Sequence, residues 1–422
     1  MSFQKAKFSL LAAAIALTSF AAALPAYAQA QCSKKMGYVP SPQRKIGHRE
    51  KNNPIEHIVV LIQENHSFDN YFGKLNQKKY YGSEVDGISA SHSNPDLNGS
   101  MVSAFHETTL CADDPEHGWD AIHQEWNHGK MDGFVKINGK KAMGYYDDSD
   151  LPFYYALANR FSIADRYFCS SLTQTYPNRF YFYAGTSFGQ VANIDPVAPD
   201  DYSQKTIFDV LNKNAISWKY YKSAQGYLEL FKKLNRENSE KMTSVESFKA
   251  DLQNGQLPAV VLIDATFDTE DEHPASNIQV GQKFVADRVR ELVQSPYWKT
   301  SAMILTYDEG GGFFDHVAPP EACEPDDIQP ILEPKQSRSR FNRLGVRVPF
   351  VLISPWAKKH FVSHKIYDHT SILRFIEDTY NLPALTNRDA NANSFGDLLD
   401  FKHPHLNAEL NFDSARVAPQ CN

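Results

Sequence analysis

Four short stretches of the chain are almost unbroken in apolar side chains: Ile55–Ile62, Pro258–Asp264, Ser301–Tyr307 and Val348–Ser354. Runs of this length, rich in β-branched residues, read as strands buried on both faces, as in a parallel sheet. Between them the period changes. Ser276–Gln294 and Thr370–Tyr380 carry apolar residues at helical spacing, the second just ahead of Asn381-Leu382-Pro383. Strands alternating with helices predict an α/β/α sandwich around a central, mostly parallel sheet. Two of the strands run directly into polar motifs. Gln63-Glu64-Asn65-His66 follows the first, and Asp308-Glu309-Gly310-Gly311-Gly312 follows the third. Open α/β sheets build their sites at the carboxyl ends of strands, so these distant segments should meet at one edge.

The beginning of the chain has another pattern. Lys5 and Lys7 precede an apolar run from Phe8 to Leu24, then Pro25 and Ala26-Tyr27-Ala28. This is the order of a secretory signal peptide, and the run is short for a membrane span. We therefore read 1–28 as a leader and 29–422 as one catalytic domain. No cut between Glu64 and His316 would leave the motifs together. Export to the periplasm or beyond permits disulfides. Cys32, Cys111, Cys169, Cys323 and Cys421 are odd in number and contain no C-x-x-C spacing. One must lie outside any intramolecular pair, and the positions of Cys32 and Cys421 suggest that they tie down chain ends. Glu321–Phe341 and Asp195–Gln204 read as surface loops.

Composition narrows the function only a little. The 422 residues are 42% hydrophobic with a net charge of −7, which becomes −9 once the two leader lysines are gone. That is globular, and it lacks the basic stripe of a nucleic-acid binder. The motifs say more. Glu64, Asn65, Asp308 and Glu309 offer oxygen atoms of the kind that hold a divalent cation. The glycines after Glu309 permit a tight turn and close backbone approach to a ligand, without the following Gly-Lys-Ser/Thr of a P-loop. His273 and His316 follow strands by short loops and can reach the same edge. His57, His123 and His128 read as structural. Thr175-Tyr176-Pro177-Asn178-Arg179 opens a stretch that looks helical from Asn178 to Tyr183. Taken alone, Thr175 is a helix N-cap first and a nucleophile second. Arg179 has the fork geometry that grips phosphoryl oxygens, and we place it with Asn178 at the substrate.

Together these motifs resemble a known family. Glu64-Asn65-His66-Ser67-Phe68-Asp69-Asn70-Tyr71-Phe72-Gly73 is similar to the opening motif of bacterial phosphoesterases that include phospholipases C and acid phosphatases. His117-Gly118-Trp119, Gly129–Phe134, Thr175–Arg179, Asp308–His316 and Gly345–Pro349 follow in the family's order, so the likeness runs from about Ile55 to Pro383. The resemblance implies an alkaline-phosphatase-like sandwich and hydrolysis of phosphate esters. It implies Thr175 as nucleophile, Glu64, Asn65, Asp308 and Glu309 as metal ligands, and His117, His273 and His316 as phosphate-binding or proton-transferring groups. Zn²⁺ is favoured over Ca²⁺ or Mg²⁺ because so many histidines converge. The expected activity is a secreted phospholipase C acting on phosphatidylcholine-type diesters, with transient membrane-surface contact. A secreted acid phosphatase acting on monoesters is the alternative, since the C-terminal domains of larger relatives have no counterpart here. A non-catalytic, cation-stabilised exported binding protein is a third reading. Thr175-x-Pro177-x-Arg179 also resembles the sulfatase pattern, but oxidation of Thr would give a ketone where sulfatases need an aldehyde.

Overall fold

The computed structural model describes residues 32–198, 201–223, 226–406, 417 and 421. The proposed leader lies outside them, as do two residues of the Asp195–Gln204 loop. Eight strands form one sheet: β1 (His57–Gln63), β2 (Ser162–Ala164), β3 (Trp218–Lys222), β4 (Met242–Ser244), β5 (Val260–Asp264), β6 (Ser301–Tyr307), β7 (Phe350–Ile353) and β8 (Phe361–Ser363). Their order is β8-β2-β7-β6-β1-β5-β3-β4. All four apolar runs are strands of this sheet, and β6 has the predicted bounds. Every residue of β5, β6 and β7 is buried, so both faces of the sheet are covered. One strand departs from the parallel expectation. β7 runs antiparallel to both β6 and β2. The connection from β6 to β7 contains no helix among the described residues. Without a helical crossover the chain returns alongside β6 in the opposite sense.

Both predicted helices are present. Ile278–Val293 is capped by Asn277, whose side chain accepts from the Gln279 N–H. His369–Tyr380 opens with a capping box between Asp368 and Ser371 and stops at Asn381, whose left-handed backbone ends it two residues before Pro383. The register of the sheet then sets the site. β1 pairs with β6 so that Gln63 lies opposite Tyr307, and with β5 so that Ile62 lies opposite Asp264. Glu64, Asp264 and Asp308 therefore leave the sheet at nearly one level.

The two termini of the described chain are fastened to the body. Cys32 is bonded to Cys323, and Cys111 to Cys421. Cys169 is the buried free thiol. The amide of Asn381 also donates to the carbonyls of Ser41 and Arg44, holding the N-terminal strap.

Candidate active site

Thr175 opens the helix Thr175–Ala184, and Arg179 stands one turn later on the same face. The Arg179 guanidinium is fully buried and meets three carboxylates. Nε donates to Asp308 Oδ2 at 2.9 Å, one terminal nitrogen to Asp264 Oδ1 at 2.9 Å, and the other to Glu64 Oε1 at 3.1 Å. That anchor fixes the helix over the strand ends. Thr175 is consequently held at the positive end of the helix dipole, one turn before the Arg179 anchor. Gln174 is the residue at the cap position, so Thr175 is not the N-cap.

The acidic pairs turn inward at their strand ends. Asn65 adopts a left-handed φ of 64°, and its N–H donates to Asp308 Oδ1. The Glu309 N–H donates to the same oxygen at 2.8 Å, and Glu309 Oε2 accepts the Gly311 N–H at 2.7 Å. The glycines serve this packing. A Cβ on Gly311, at φ +60°, would lie 2.1 Å from the carbonyl oxygen of Asn65. The close approach is thus to the Glu64-Asn65 segment itself.

Of the side-chain oxygens of Glu64, Asn65, Asp308 and Glu309, three are buried without a hydrogen-bond partner: Glu64 Oε2, Asn65 Oδ1 and Glu309 Oε1. Burial, and then the neighbouring Asp308, push the carboxyls of Glu64 and Glu309 well above the usual range; burial also raises Asp308. Glu64, Asp264 and Asp308 share the one guanidinium of Arg179, and Glu309 adds a fourth carboxyl beside Asp308. Unpartnered oxygens amid uncompensated negative charge fit a divalent cation. Imidazole nitrogen stands beside them. His117 Nδ1 is 2.7 Å from the Pro115 carbonyl, which fixes the proton there and leaves the Nε2 lone pair 3.4 Å from Glu309 Oε1 and from the Asn65 amide. His273 Nδ1 likewise donates to the Pro274 carbonyl. Ligand atoms of Asp114, His117 and His273 lie within 4.8 Å of one another. A cleft of about 650 Å³ holds Thr175, Tyr176, Asp195, Tyr227, Phe267 and His273 along its walls. Tyr227 joins cleft to carboxylates, since its hydroxyl bonds to Glu64 and its ring stacks on Arg179.

The profile of the Phosphoesterase family matches residues 55–383. The chain belongs to the Phosphoesterase family. It is a hydrolase acting on phosphoric ester bonds, which sets aside the non-catalytic reading. It is similar to non-specific phospholipase C1 of Arabidopsis thaliana, 35% identical over 81% of this chain and 70% of that one. It is also similar to phospholipase C B of Mycobacterium tuberculosis, 32% identical over 87% and 82%. Among solved structures, a protein of the alkaline phosphatase superfamily from Vibrio parahaemolyticus aligns over 87% of this chain and 74% of its own at 8% identity, with a TM-score of 0.39.

The structure brings together Glu64, Asn65, Asp308, Glu309 and His117, and sets Thr175 and His273 in the adjoining cleft. Three residues of this phosphoesterase lie otherwise than the sequence reading placed them. Arg179 is committed to three carboxylates, so it positions the helix instead of gripping phosphate. Asn178 is buried behind Thr175. Its amide bonds to the N–H of Ser171 and the carbonyls of Ser171 and Thr173, clamping the preceding loop. His316 sits in a second charged cluster. Its Nδ1 is 2.6 Å from Asp69 and its Nε2 2.9 Å from Asp86, with Arg347 beside it bonded to Asp69 and Asp315. With both nitrogens engaged it has no free lone pair for the reaction.

Asp264, Tyr227 and Glu272 were not singled out from the sequence. Asp264 had a visible signal, as a carboxylate that closes a buried strand. Tyr227 had none.

Proposed function

We propose that this phosphoesterase is an exported, metal-dependent phospholipase C that cleaves phosphatidylcholine-type diesters to diacylglycerol and phosphocholine, with residues 29–422 as one catalytic unit. The observation that carries the reading is the trio of unpartnered buried oxygens on Glu64, Asn65 and Glu309, with Thr175 held over the same strand ends by Arg179. Diester cleavage is favoured over monoester cleavage because the similar curated proteins are phospholipases C. The two disulfides support export, and no described helix is long and apolar enough to cross a membrane.

Glu64, Asn65, Asp308 and Glu309 would hold the cation, with His117 Nε2 as a nitrogen donor that favours Zn²⁺ over Ca²⁺ or Mg²⁺. Bound there, it supplies Lewis acidity that lowers the pKa of a nearby hydroxyl and neutralises phosphoryl charge. Thr175 Oγ1 attacks phosphorus in line, its proton passing to solvent, and the bond from phosphorus to the alcohol oxygen breaks as His273, entering the step as the imidazolium, protonates that oxygen. Water then attacks the phospho-threonine, the bond from phosphorus to Oγ1 breaks, and Thr175 regains a proton.

The test is hydrolysis of phosphatidylcholine and of p-nitrophenyl phosphate by wild type and Thr175→Ala, with and without chelator. Phosphocholine release should dominate. Removal of the hydroxyl or of the metal should lower kcat at least about a thousandfold, with the circular dichroism spectrum unchanged. Full activity in Thr175→Ala would sink the mechanism. Dominant monoester cleavage would move the function to an acid phosphatase.

A further inference from the structure

We propose that Glu272 is a positioning residue for phosphoester hydrolysis, pinning from behind the three chain segments that carry Glu64, Asp308 and His273. The inference rests on the reading of those three as site residues. Glu272 is fully buried, with a left-handed φ of 70°, on the turn that follows β5. Its carboxylate accepts from three neutral donors. Oε1 takes the Tyr154 hydroxyl and the Gln63 amide, the latter at 3.2 Å, and Oε2 takes the Tyr307 hydroxyl at 2.6 Å.

The identity of those partners is the argument. Gln63 is the last residue of β1 and immediately precedes Glu64. Tyr307 is the last residue of β6 and immediately precedes Asp308. His273 immediately follows Glu272. Successive residues of a strand point to opposite faces, so a bond that fixes Gln63 or Tyr307 also fixes the direction in which its neighbour can point. Backbone contacts reinforce the join. The Glu64 N–H donates to the Asp271 carbonyl at 2.9 Å, and the Gln63 amide also donates to the Glu270 carbonyl at 2.9 Å. His66, one residue past Asn65, holds the Glu272 carbonyl through Nε2 at 2.9 Å. The helix Ile278–Val293 makes room: a Cβ on Gly281 would come within 2.1 Å of Glu272 Cγ.

A buried carboxylate with only neutral partners is a poor way to hold a fold together. An apolar side chain of similar size would avoid its desolvation cost. The arrangement makes sense if orientation is what the carboxylate supplies. Partners that orient metal-binding side chains from outside typically carry ten- to hundredfold in metal affinity or activity, roughly.

The experiment compares wild type with Glu272→Met and Glu272→Gln. Three quantities are measured: the melting temperature, kcat and KM on bis(p-nitrophenyl) phosphate, and Zn²⁺ binding to chelator-stripped protein by calorimetry. Glu272→Met should keep the wild-type melting temperature to within a few degrees. It should lower kcat about ten- to hundredfold with KM nearly unchanged, and weaken Zn²⁺ binding by about tenfold. Glu272→Gln retains an acceptor for Tyr307 and should recover part of both losses. Wild-type kcat and Zn²⁺ affinity in Glu272→Met overturn the proposal. So does a loss of activity that merely tracks loss of folded protein in both variants. Thr175→Ala run alongside separates the two readings. Full activity there would sink the assigned nucleophile, while Zn²⁺ affinity, read without turnover, still decides whether Glu272 positions Glu64 and Asp308.

Discussion

Arg179 shows what a single side chain does here that its chemistry alone does not announce. A guanidinium four residues after a candidate nucleophile suggests a phosphate clamp. The fold instead surrounds it with Asp308, Asp264 and Glu64, all buried. Removing one partner of a buried ionic cluster leaves uncompensated charge and costs about 3–5 kcal/mol. Arg179→Ala should lower the unfolding free energy by that amount in denaturant titrations, and Arg179→Lys by less, since an ammonium keeps the charge although it cannot span three carboxylates. A variant with unchanged stability but a raised KM would restore the phosphate-clamp reading. The spacing from Thr175 to Arg179 was legible because it depends on one helix. The partners of Arg179 were not, because they come from three strand ends that meet only in the folded sheet. Glu64 and Asp308 were legible for the opposite reason: each follows a run whose apolar pattern already marks it as a buried strand. Glu272 was invisible because its partners, Tyr154, Gln63 and Tyr307, belong to three separate segments.

At the scale of elements, the strand ends and the glycine turn form one device. The turn after β6 must pass the Asn65 backbone closely enough for Glu309 to turn back onto the Gly311 N–H. Only a residue without Cβ fits. Gly311→Ala combines a left-handed strain of roughly 1–2 kcal/mol with a direct clash. It should therefore lower both stability and kcat by displacing Asn65. Gly82 is the control, because its φ of +57° is similar but a Cβ there meets nothing within 4 Å. Thermal unfolding of Gly82→Ala should show the strain alone, with kcat unchanged. Equal losses in the two variants would mean that the turn does not set the site. The sequence pattern located these elements well, since periodicity reports burial. It did not report direction. β7 is as apolar as the parallel strands yet runs against them, because burial on both faces is the same whichever way a strand points. What decides direction is the connection, and the long β6–β7 loop does not look like a crossover or a return until it is folded.

At the scale of the whole molecule, the second charged cluster governs how stability responds to pH. His316 lies between Asp69 and Asp86, and Arg347 ties Asp69 to Asp315 and to the carbonyl of Asp165. Segments far apart in the chain thus meet around one imidazole. Burial opposes its charge, but the carboxylates of Asp69 and Asp86 prevail and raise its pKa from 6.5 to about 9. A group whose pKa is higher in the folded state binds its proton more tightly there, so the proton favours folding. That contribution is complete below about pH 6.5 and fades as the pH rises through 9. The neighbouring Asp315 is raised only to about 6, so its own loss of stability with rising pH, of the same sign, is finished before this window opens. The melting temperature of wild type should accordingly exceed that of His316→Asn by the largest margin near pH 6.5, and the margin should shrink steadily toward pH 10. Comparing the two proteins at each pH cancels the titrating groups that His316 does not touch, including Glu272, which burial raises to about 7. A margin that stays constant from pH 6.5 to 10 would mean that His316 is neutral in the folded protein. One of its nitrogens would then carry a lone pair, and the residue would return to the list of candidate proton acceptors from which its two carboxylate partners now remove it.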